Sequence, residues 1–353
     1  MQFKNEVIDV GSKKIGVNQP CFIVAEIGIN FNGSIDLAKK TIDAALLSGA
    51  DAVKFQNYKT EDFLIDRSLT YAYTSQGKNI VESQYEMFKR NELTSKDLTE
   101  LKKYCDTKKI IFFSTPTGTD TLKELVNLKV ALIKNSSDYL TNLPFIKEIA
   151  ACNIPAVIST GMATLSEIDE AVRTYKEAGG NNLIVLHCTS SYPTPPEDVH
   201  LRKIPSLATA FDCLVGFSDH SWGITAAMGA VTLGACLVEK HFTFDKNLPG
   251  PDHRFSSDPE EFKQLVEGIR MLEKSLGNSM IGPTASEKEP RIYFRISCTA
   301  ARDLTAGELL KKEQIKFCRP GLGLAPKELD NIVGRKLKFN KRAGEYLNWS
   351  DFN

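Results

Sequence analysis

Residues 214–253 read LVGFSDHSWGITAAMGAVTLGACLVEKHFTFDKNLPGPDH, and this stretch decides the fold. Two short apolar runs each end in a histidine, His220 and His241, with a helical pattern of small residues between them. That is a strand–helix–strand unit whose parallel strands finish with the two imidazoles side by side. Three of the chain's five histidines lie in this stretch. Paired at matching strand ends, His220 and His241 point to a metal site suited to Mn²⁺, Fe²⁺, Co²⁺ or Zn²⁺. With two strong protein ligands, the other positions fall to water and substrate oxygens, as in an open Lewis-acid site.

The same unit recurs on either side. CFIVAEIG (21–28), ADAVKFQ (50–56), KIIFFSTP (109–116), VALIKNSS (130–137), IPAVISTG (154–161) and NLIVLHC (182–188) precede the pair, each followed by a helical pattern such as SIDLAKKTIDAALLSGA (34–50). Near-continuous apolar strands alternating with helices predict a parallel sheet covered on both faces. Eight such units point to a closed (β/α)8 TIM barrel. The alternative, an open doubly wound sheet, lacks its G-x-G-x-x-G after the first strand. Residues 1–20 read as a short hairpin. Between Asn57 and Leu93 a long polar segment follows the second strand, which on a barrel places it over the catalytic face as a lid or binding loop. The catalytic domain therefore spans 1–281. GPTASEKEP (282–290) reads as a linker, and 291–353, with RIYFRISCTAARDL and IKFCRPGLGLAP, reads as a small domain of strands and turns.

Composition narrows the function. Forty-four basic residues balance forty-four acidic ones over 353 residues, so no global field favours nucleic acid or an anionic membrane. The eight cysteines are dispersed without a C-x-x-C, the pattern of reduced thiols in a cytoplasmic protein. No stretch reaches the roughly eighteen apolar residues of a membrane span, and the N-terminus carries no apolar signal core.

Polar residues at barrel strand ends converge on one mouth. Here they are Glu26, Lys54, Gln56, Thr115, Lys134, Ser136, Ser137, Ser159, His187, His220, Lys240 and His241. Lys54 and Gln56 are two apart in a strand and face the same way. Buried lysines need anions, so Lys54 and Lys134 with the nearby hydroxyls predict a phosphate or carboxylate site. Glu26 is a candidate general base; pairing with a lysine is its structural alternative. Asp219 should face away from the mouth. Tyr192 and Asp252, in the loops after strands six and eight, are candidates for binding a polyol.

Together VAEIGIN with FNG, VKFQ, FSTP, ISTGMAT, HCTSSYPTP, GFSDH, EKHFT and PGPDH resemble the sialic acid (nonulosonate) synthase family. RPGLGLAP and the tail resemble that family's C-terminal antifreeze-like (SAF) domain, so the likeness spans nearly the whole chain. It implies condensation of phosphoenolpyruvate with an open-chain N-acetylated aldose, giving a nine-carbon 3-deoxy-2-keto acid and phosphate. It also implies a divalent metal, usually Mn²⁺ (with Mg²⁺ or Co²⁺ as alternatives), on His220 and His241. That ion polarises the sugar aldehyde and holds the water that attacks phosphoenolpyruvate. The position of Glu26 handles protons. Lys54, Thr115, Lys134, Ser137, Ser159 and Ser218 match residues that hold phosphoenolpyruvate. Gln56, Tyr192 and Asp252 match sugar-binding positions, and Arg319 matches an arginine that reaches the N-acetyl group across a domain-swapped homodimer.

Three positions depart from the family pattern. Phe31 replaces the histidine of N-H-N-G. In KNSSDYLTN (134–142) Tyr139 takes a usual carboxylate position, with Asp138 one residue early. Ser190-Ser191 precedes Tyr192 where an asparagine is common. These changes fall on the sugar side and leave open which aldose is used, N-acetylmannosamine or a 2,4-diacetamido-trideoxy sugar. Other readings are a different phosphoenolpyruvate–aldose condensing enzyme, which the C-terminal domain opposes, and an inactive sugar-binding homologue, which the intact Glu26, Lys54, Lys134, His220 and His241 oppose.

Overall fold

The computed structural model describes residues 6–353, so the first five residues of the hairpin expected at 1–20 lie outside the described residues. Val7–Val10 pairs antiparallel with Lys13–Gly16. Eight parallel strands then close into a barrel in sequence order: β1 (Phe22–Gly28), β2 (Ala52–Asn57), β3 (Ile111–Pro116), β4 (Ile133–Asn135), β5 (Ala156–Ser159), β6 (Leu183–Cys188), β7 (Leu214–Asp219) and β8 (Leu237–His241). β8 returns to β1 with His241 opposite Glu26, and β1 sets Glu26 opposite Lys54.

Alternation along each strand divides the core in two. One set, including Ile23, Ala25, Ile27, Val53, Phe55, Phe112, Ile158, Val185, Phe217 and Val238, faces outward against the helices. The other, Phe22, Val24, Ala52, Phe113, Leu132, Val157, Ile184, Leu186, Leu214 and Leu237, fills the barrel interior, and Ile8, Val10 and Ile15 of the hairpin pack into the same cluster. The interior is thus apolar at the strand starts and turns polar towards the strand ends, where Glu26, Lys54, Thr115, Lys134, Ser159, Ser218 and Glu239 continue the same alternation. The large inward side chain of Phe113 is fully buried, and Phe113→Ala should cost about 3–5 kcal/mol. Outer helices start where their caps say. Thr94 and Asp97 form a capping box ahead of Ser95–Lys108, Thr164 and Glu167 one ahead of Leu165–Glu177, and Asp258 caps Pro259–Leu276.

The long segment after β2 is more structured than its polar sequence indicated. It holds a helical turn, Thr60–Phe63, a hairpin of Thr70–Ser75 with Lys78–Ser83, and a helix, Gln84–Arg90. The turn is Gln76-Gly77, both with positive φ, the conformation that matches the twist of a two-residue hairpin. The hairpin is tied to the loop after β8: Gln76 Nε2 donates to Asn247 O at 2.9 Å and Gly250 N to Ser75 Oγ at 3.1 Å.

Two compact units divide between Gly277 and Asn278. Residues 282–290, read as a linker, carry a turn at Ala285–Glu287 that Thr284 and Glu287 cap, and a helix, Lys288–Tyr293, follows. RIYF is therefore mostly helical, not a strand. The small unit pairs Ser297–Ala300 with Ile315–Cys318 and packs Cys298, Ala300, Leu304, Leu324, Ile332, Leu337, Leu347 and Phe352 into its own core. Among the described residues no helix is long and apolar enough to cross a membrane.

Candidate active site

The polar strand ends open into a cavity of about 470 Å³ lined by Glu26, Lys54, Gln56, Thr115, Lys134, Ser137, Asp138, Ser159, Cys188, Tyr192, Ser218, His220, Glu239, His241 and Asp252. Its floor is a chain of buried charges. Lys54 Nζ lies 2.7 Å from Glu26 Oε2, 3.1 Å from Thr115 Oγ1 and 3.8 Å from Glu239 Oε1. Lys134 Nζ lies 3.0 Å from Glu239 Oε1, and Ser218 Oγ donates to the same oxygen at 3.3 Å. The chain is incompletely partnered. Glu239 Oε2, Ser159 Oγ and His241 Nδ1 are buried without a hydrogen-bond partner. Such atoms are costly in a closed core and are expected where a ligand completes them.

Environment separates the two carboxyls. Burial lifts Glu26 above the usual carboxylate range, even against the pull of Lys54. Burial pushes Glu239 the same way, but Lys134 and Lys54 together outweigh it and hold that group low. Glu239 is thus the fixed anion between two ammonium groups, and Glu26 is the carboxyl able to carry a proton. Asp252 is raised to about 7 by burial and by Glu26, with His220 opposing.

The imidazoles meet as expected, with ring centroids 5.4 Å apart. His220 Nδ1 donates to Thr189 O at 2.8 Å, which leaves Nε2 free for a ligand. Burial first, then His220 and Lys54, push His241 well below its usual value. Its Nδ1 lies 3.8 Å from Asp252 Oδ2. The Tyr192 ring lies 4.2 Å from His220, tilted by 37°, and Phe255 stands 5.1 Å from His241. Among the described residues no group of three or more His, Cys, Asp or Glu forms a metal cage. The chain therefore offers two free nitrogens and an open coordination sphere, which fits a divalent ion completed by substrate.

Two strand-end residues do not reach the cavity. Lys240 faces outward, where its Nζ meets Asp219 Oδ2 at 2.8 Å, and His187 turns away to Val199 O and the Phe217 ring. Each sits one residue out of phase with the inward-facing set. Asp219 lies on the outward face as expected. Glu239 and Cys188 were missed, though both are in phase: Glu239 two before His241, Cys188 two after Leu186. Asp138 lines the cavity, whereas Tyr139 packs on Phe145 with centroids 5.8 Å apart. Phe31, in place of the family histidine, is buried against Phe55. Arg319 belongs to the small unit, its guanidinium 5.4 Å from the Phe294 ring centroid.

The NeuB family model matches residues 41–280 and the SAF domain model residues 297–353. An N,N'-diacetyllegionaminic acid synthase of Legionella pneumophila is 44% identical over 345 residues, covering 96% of each chain. One of Campylobacter jejuni is 37% identical over 327 residues, covering 92% of this chain and 98% of its own. The solved N-acetylneuraminic acid (sialic acid) synthetase of Leptospira borgpetersenii, in complex with citrate, gives a TM-score of 0.73 at 34% identity, over 80% of this chain and 94% of its own. With the barrel, the cavity and these matches together, the chain belongs to the NeuB family, the nonulosonic acid synthases.

Proposed function

We propose that this chain condenses phosphoenolpyruvate with an open-chain, N-acetylated mannosamine-type aldose, giving a nine-carbon 3-deoxy-2-keto acid and phosphate. The observation that carries the reading is the cavity floor, where two buried ammonium groups stand beside unpartnered carboxylate and hydroxyl oxygens. The names of the relatives support it. A carbon–carbon bond forms between C3 of phosphoenolpyruvate and the aldehyde carbon, water adds at C2, and phosphate leaves.

Lys54 with Thr115, and Lys134 with Ser137, Ser159 and Ser218, hold the phosphate and carboxylate. Glu239 keeps both ammonium groups aimed at that spot. Glu239 offsets one of the two ammonium charges, which leaves the phosphate and carboxylate of an enol phosphate under-neutralised, so the reading calls for a further cation. His220 and His241 would hold it: a divalent ion, Mn²⁺ foremost, with Mg²⁺ or Co²⁺ as alternatives. When bound, that ion supplies Lewis-acid polarisation of the aldehyde. Glu26, raised by burial, holds or accepts the proton moved at the aldehyde end, with Gln56 Nε2 3.4 Å from its Oε1. Gln56, Tyr192 and Asp252 contact the sugar. In this reading Arg319 reaches the N-acetyl group across a domain-swapped homodimer, and Arg319→Ala raises the sugar KM with little change in that for phosphoenolpyruvate. Eight free cysteines support a cytoplasmic site of action.

The test is phosphate release from phosphoenolpyruvate with Mn²⁺ and either N-acetylmannosamine or 2,4-diacetamido-2,4,6-trideoxymannose. Turnover that EDTA abolishes and Mn²⁺ restores is expected. A folded protein that releases no phosphate with either sugar contradicts the reading.

A further inference from the structure

Of the two imidazoles, His220 is the one that stands outside the barrel ladder. β7 ends at Asp219, and His220 is the residue beyond it. What holds it comes from the loop after β6. Thr189 O accepts from its Nδ1 at 2.8 Å, and Thr194 N donates to its backbone O at 2.9 Å. The other neighbour of Nδ1, Cys188 Sγ, stands at 3.8 Å and is a weak partner.

Both holds converge on one side chain. Thr194 Oγ1 donates to Ser191 O at 2.9 Å and, from further away, to Thr189 O at 3.3 Å. Its single proton is shared between two carbonyls, and one of these is the acceptor for His220. Thr194 is 3% exposed and does not line the cavity, so its side chain works through its neighbours and not on a ligand. The turn it closes carries Tyr192, whose ring lies 4.2 Å from His220. The bond to His220 O needs only a backbone N–H, which any residue but proline supplies. The hydroxyl is what threonine adds.

We propose that Thr194 is a positioning residue for His220. Its hydroxyl pins Thr189 O where the imidazole finds it, which keeps the proton on Nδ1 and leaves Nε2 bare for a divalent ion. Without that hydroxyl two carbonyls lose a buried donor, the turn loosens, and the ring is no longer held to one tautomer. The inference rests on the metal part of the reading above. Groups that orient a metal-binding histidine are worth about 10- to 100-fold in metal affinity. Thr194 acts one bond further out, which puts its effect near the lower end, about tenfold.

The experiment is calorimetric titration of Mn²⁺ into the full-length protein without substrates, for the wild type, Thr194→Val, Thr194→Ser and Ser191→Ala. Thr194→Val keeps the shape and removes the hydroxyl, and should bind Mn²⁺ about tenfold more weakly. Thr194→Ser restores the hydroxyl and should stay within about twofold of the wild type. Ser191 Oγ donates to Pro193 O at 3.3 Å inside the same turn and reaches nothing on His220. Ser191→Ala should therefore bind Mn²⁺ like the wild type. Wild-type affinity in Thr194→Val, or an equal loss in Ser191→Ala, overturns the proposal, the second because it would mark a general loosening of the turn. Circular dichroism checks folding, and if Thr194→Val does not fold, Thr194→Cys, with its weaker donor, replaces it under the same expectation. A wild type that binds no Mn²⁺ contradicts the metal reading instead. Nitrogen NMR of the metal-free protein labelled at histidine then judges the positioning: His220 protonated on Nδ1 in the wild type and mixed between tautomers in the variant sustains it, and identical spectra overturn it.

Discussion

Two buried lysine networks lie one residue apart on β8 and differ in what they leave over. Lys240 is satisfied by Asp219 Oδ2 at 2.8 Å and Ser221 O at 2.9 Å, and Asp219 Oδ1 accepts from Ser221 N and Oγ at 2.9 and 2.6 Å. That set is closed: each of its side-chain polar atoms has a partner. The inward set built on Lys54, Lys134 and Glu239 is as deeply buried, yet it leaves Glu239 Oε2 and Ser159 Oγ unpartnered. Burial of a lysine does not mark a site. What sets the inward group apart is that its unpartnered oxygens face the cavity, where a ligand can complete them.

Substitutions can break this comparison from either side. The largest expected effect is on turnover: Lys134→Met should lower kcat/KM for phosphoenolpyruvate by about 10²–10³-fold, the usual cost of losing one electrostatic contact to a reacting group. Phosphate release measures it. Lys240→Met should do the reverse. It strands Asp219 as a buried, unpaired charge and costs about 3–5 kcal/mol of stability, read from denaturant unfolding, while the folded fraction keeps its kcat/KM within about twofold. The double variant Asp219→Leu/Lys240→Met should recover most of that loss, since a buried ion pair replaced by apolar groups of similar size is often neutral. A double variant as unstable as the single one would show that the closed set does more than satisfy itself.

The smallest expected effect belongs to His253, another closed set, with Nδ1 2.7 Å from Thr243 Oγ1 and Nε2 3.2 Å from Asn32 Oδ1. Burial holds it down to about 4, with Asp245 opposing. The folded protein keeps this imidazole neutral while the unfolded chain takes up a proton near pH 6.5. Its contribution to stability is therefore complete above that pH and is lost as pH falls towards 4, by up to about 3 kcal/mol. His253→Gln should flatten the stability–pH curve across that window, and an unchanged slope would remove the assignment.

The barrel was legible because strand and helix periods differ and the eight apolar runs are separated by amphipathic stretches. All eight appear in the structure, most with edges within two residues of the reading. The polar strand ends were legible for the same reason, but the alternation was applied to Asp219 and not carried through. Counting by twos along EKH separates Glu239 and His241 from Lys240, and along LHC it puts Cys188 inward and His187 outward. The segment after β2 hid its hairpin because Gln-Gly is a weaker turn signal than Asn-Gly. RIYF hid its helix because the turn that leads into it, Ala285–Glu287 capped by Thr284 and Glu287, lies in a stretch whose Gly and Pro content reads as linker, and the helix itself has no side-chain cap. The choice between Asp138 and Tyr139 could not be made from one chain, since it turns on which of two neighbouring side chains points into the cavity.

The most direct test of the central claim is calorimetric binding of phosphoenolpyruvate, with Mn²⁺ present, to the wild type, Lys134→Met and Lys240→Met. The account predicts affinity at least about tenfold weaker for Lys134→Met, the worth of a hydrogen bond to a charged group, and unchanged for Lys240→Met. Equal affinities for all three, or an equal loss in both variants, would contradict it.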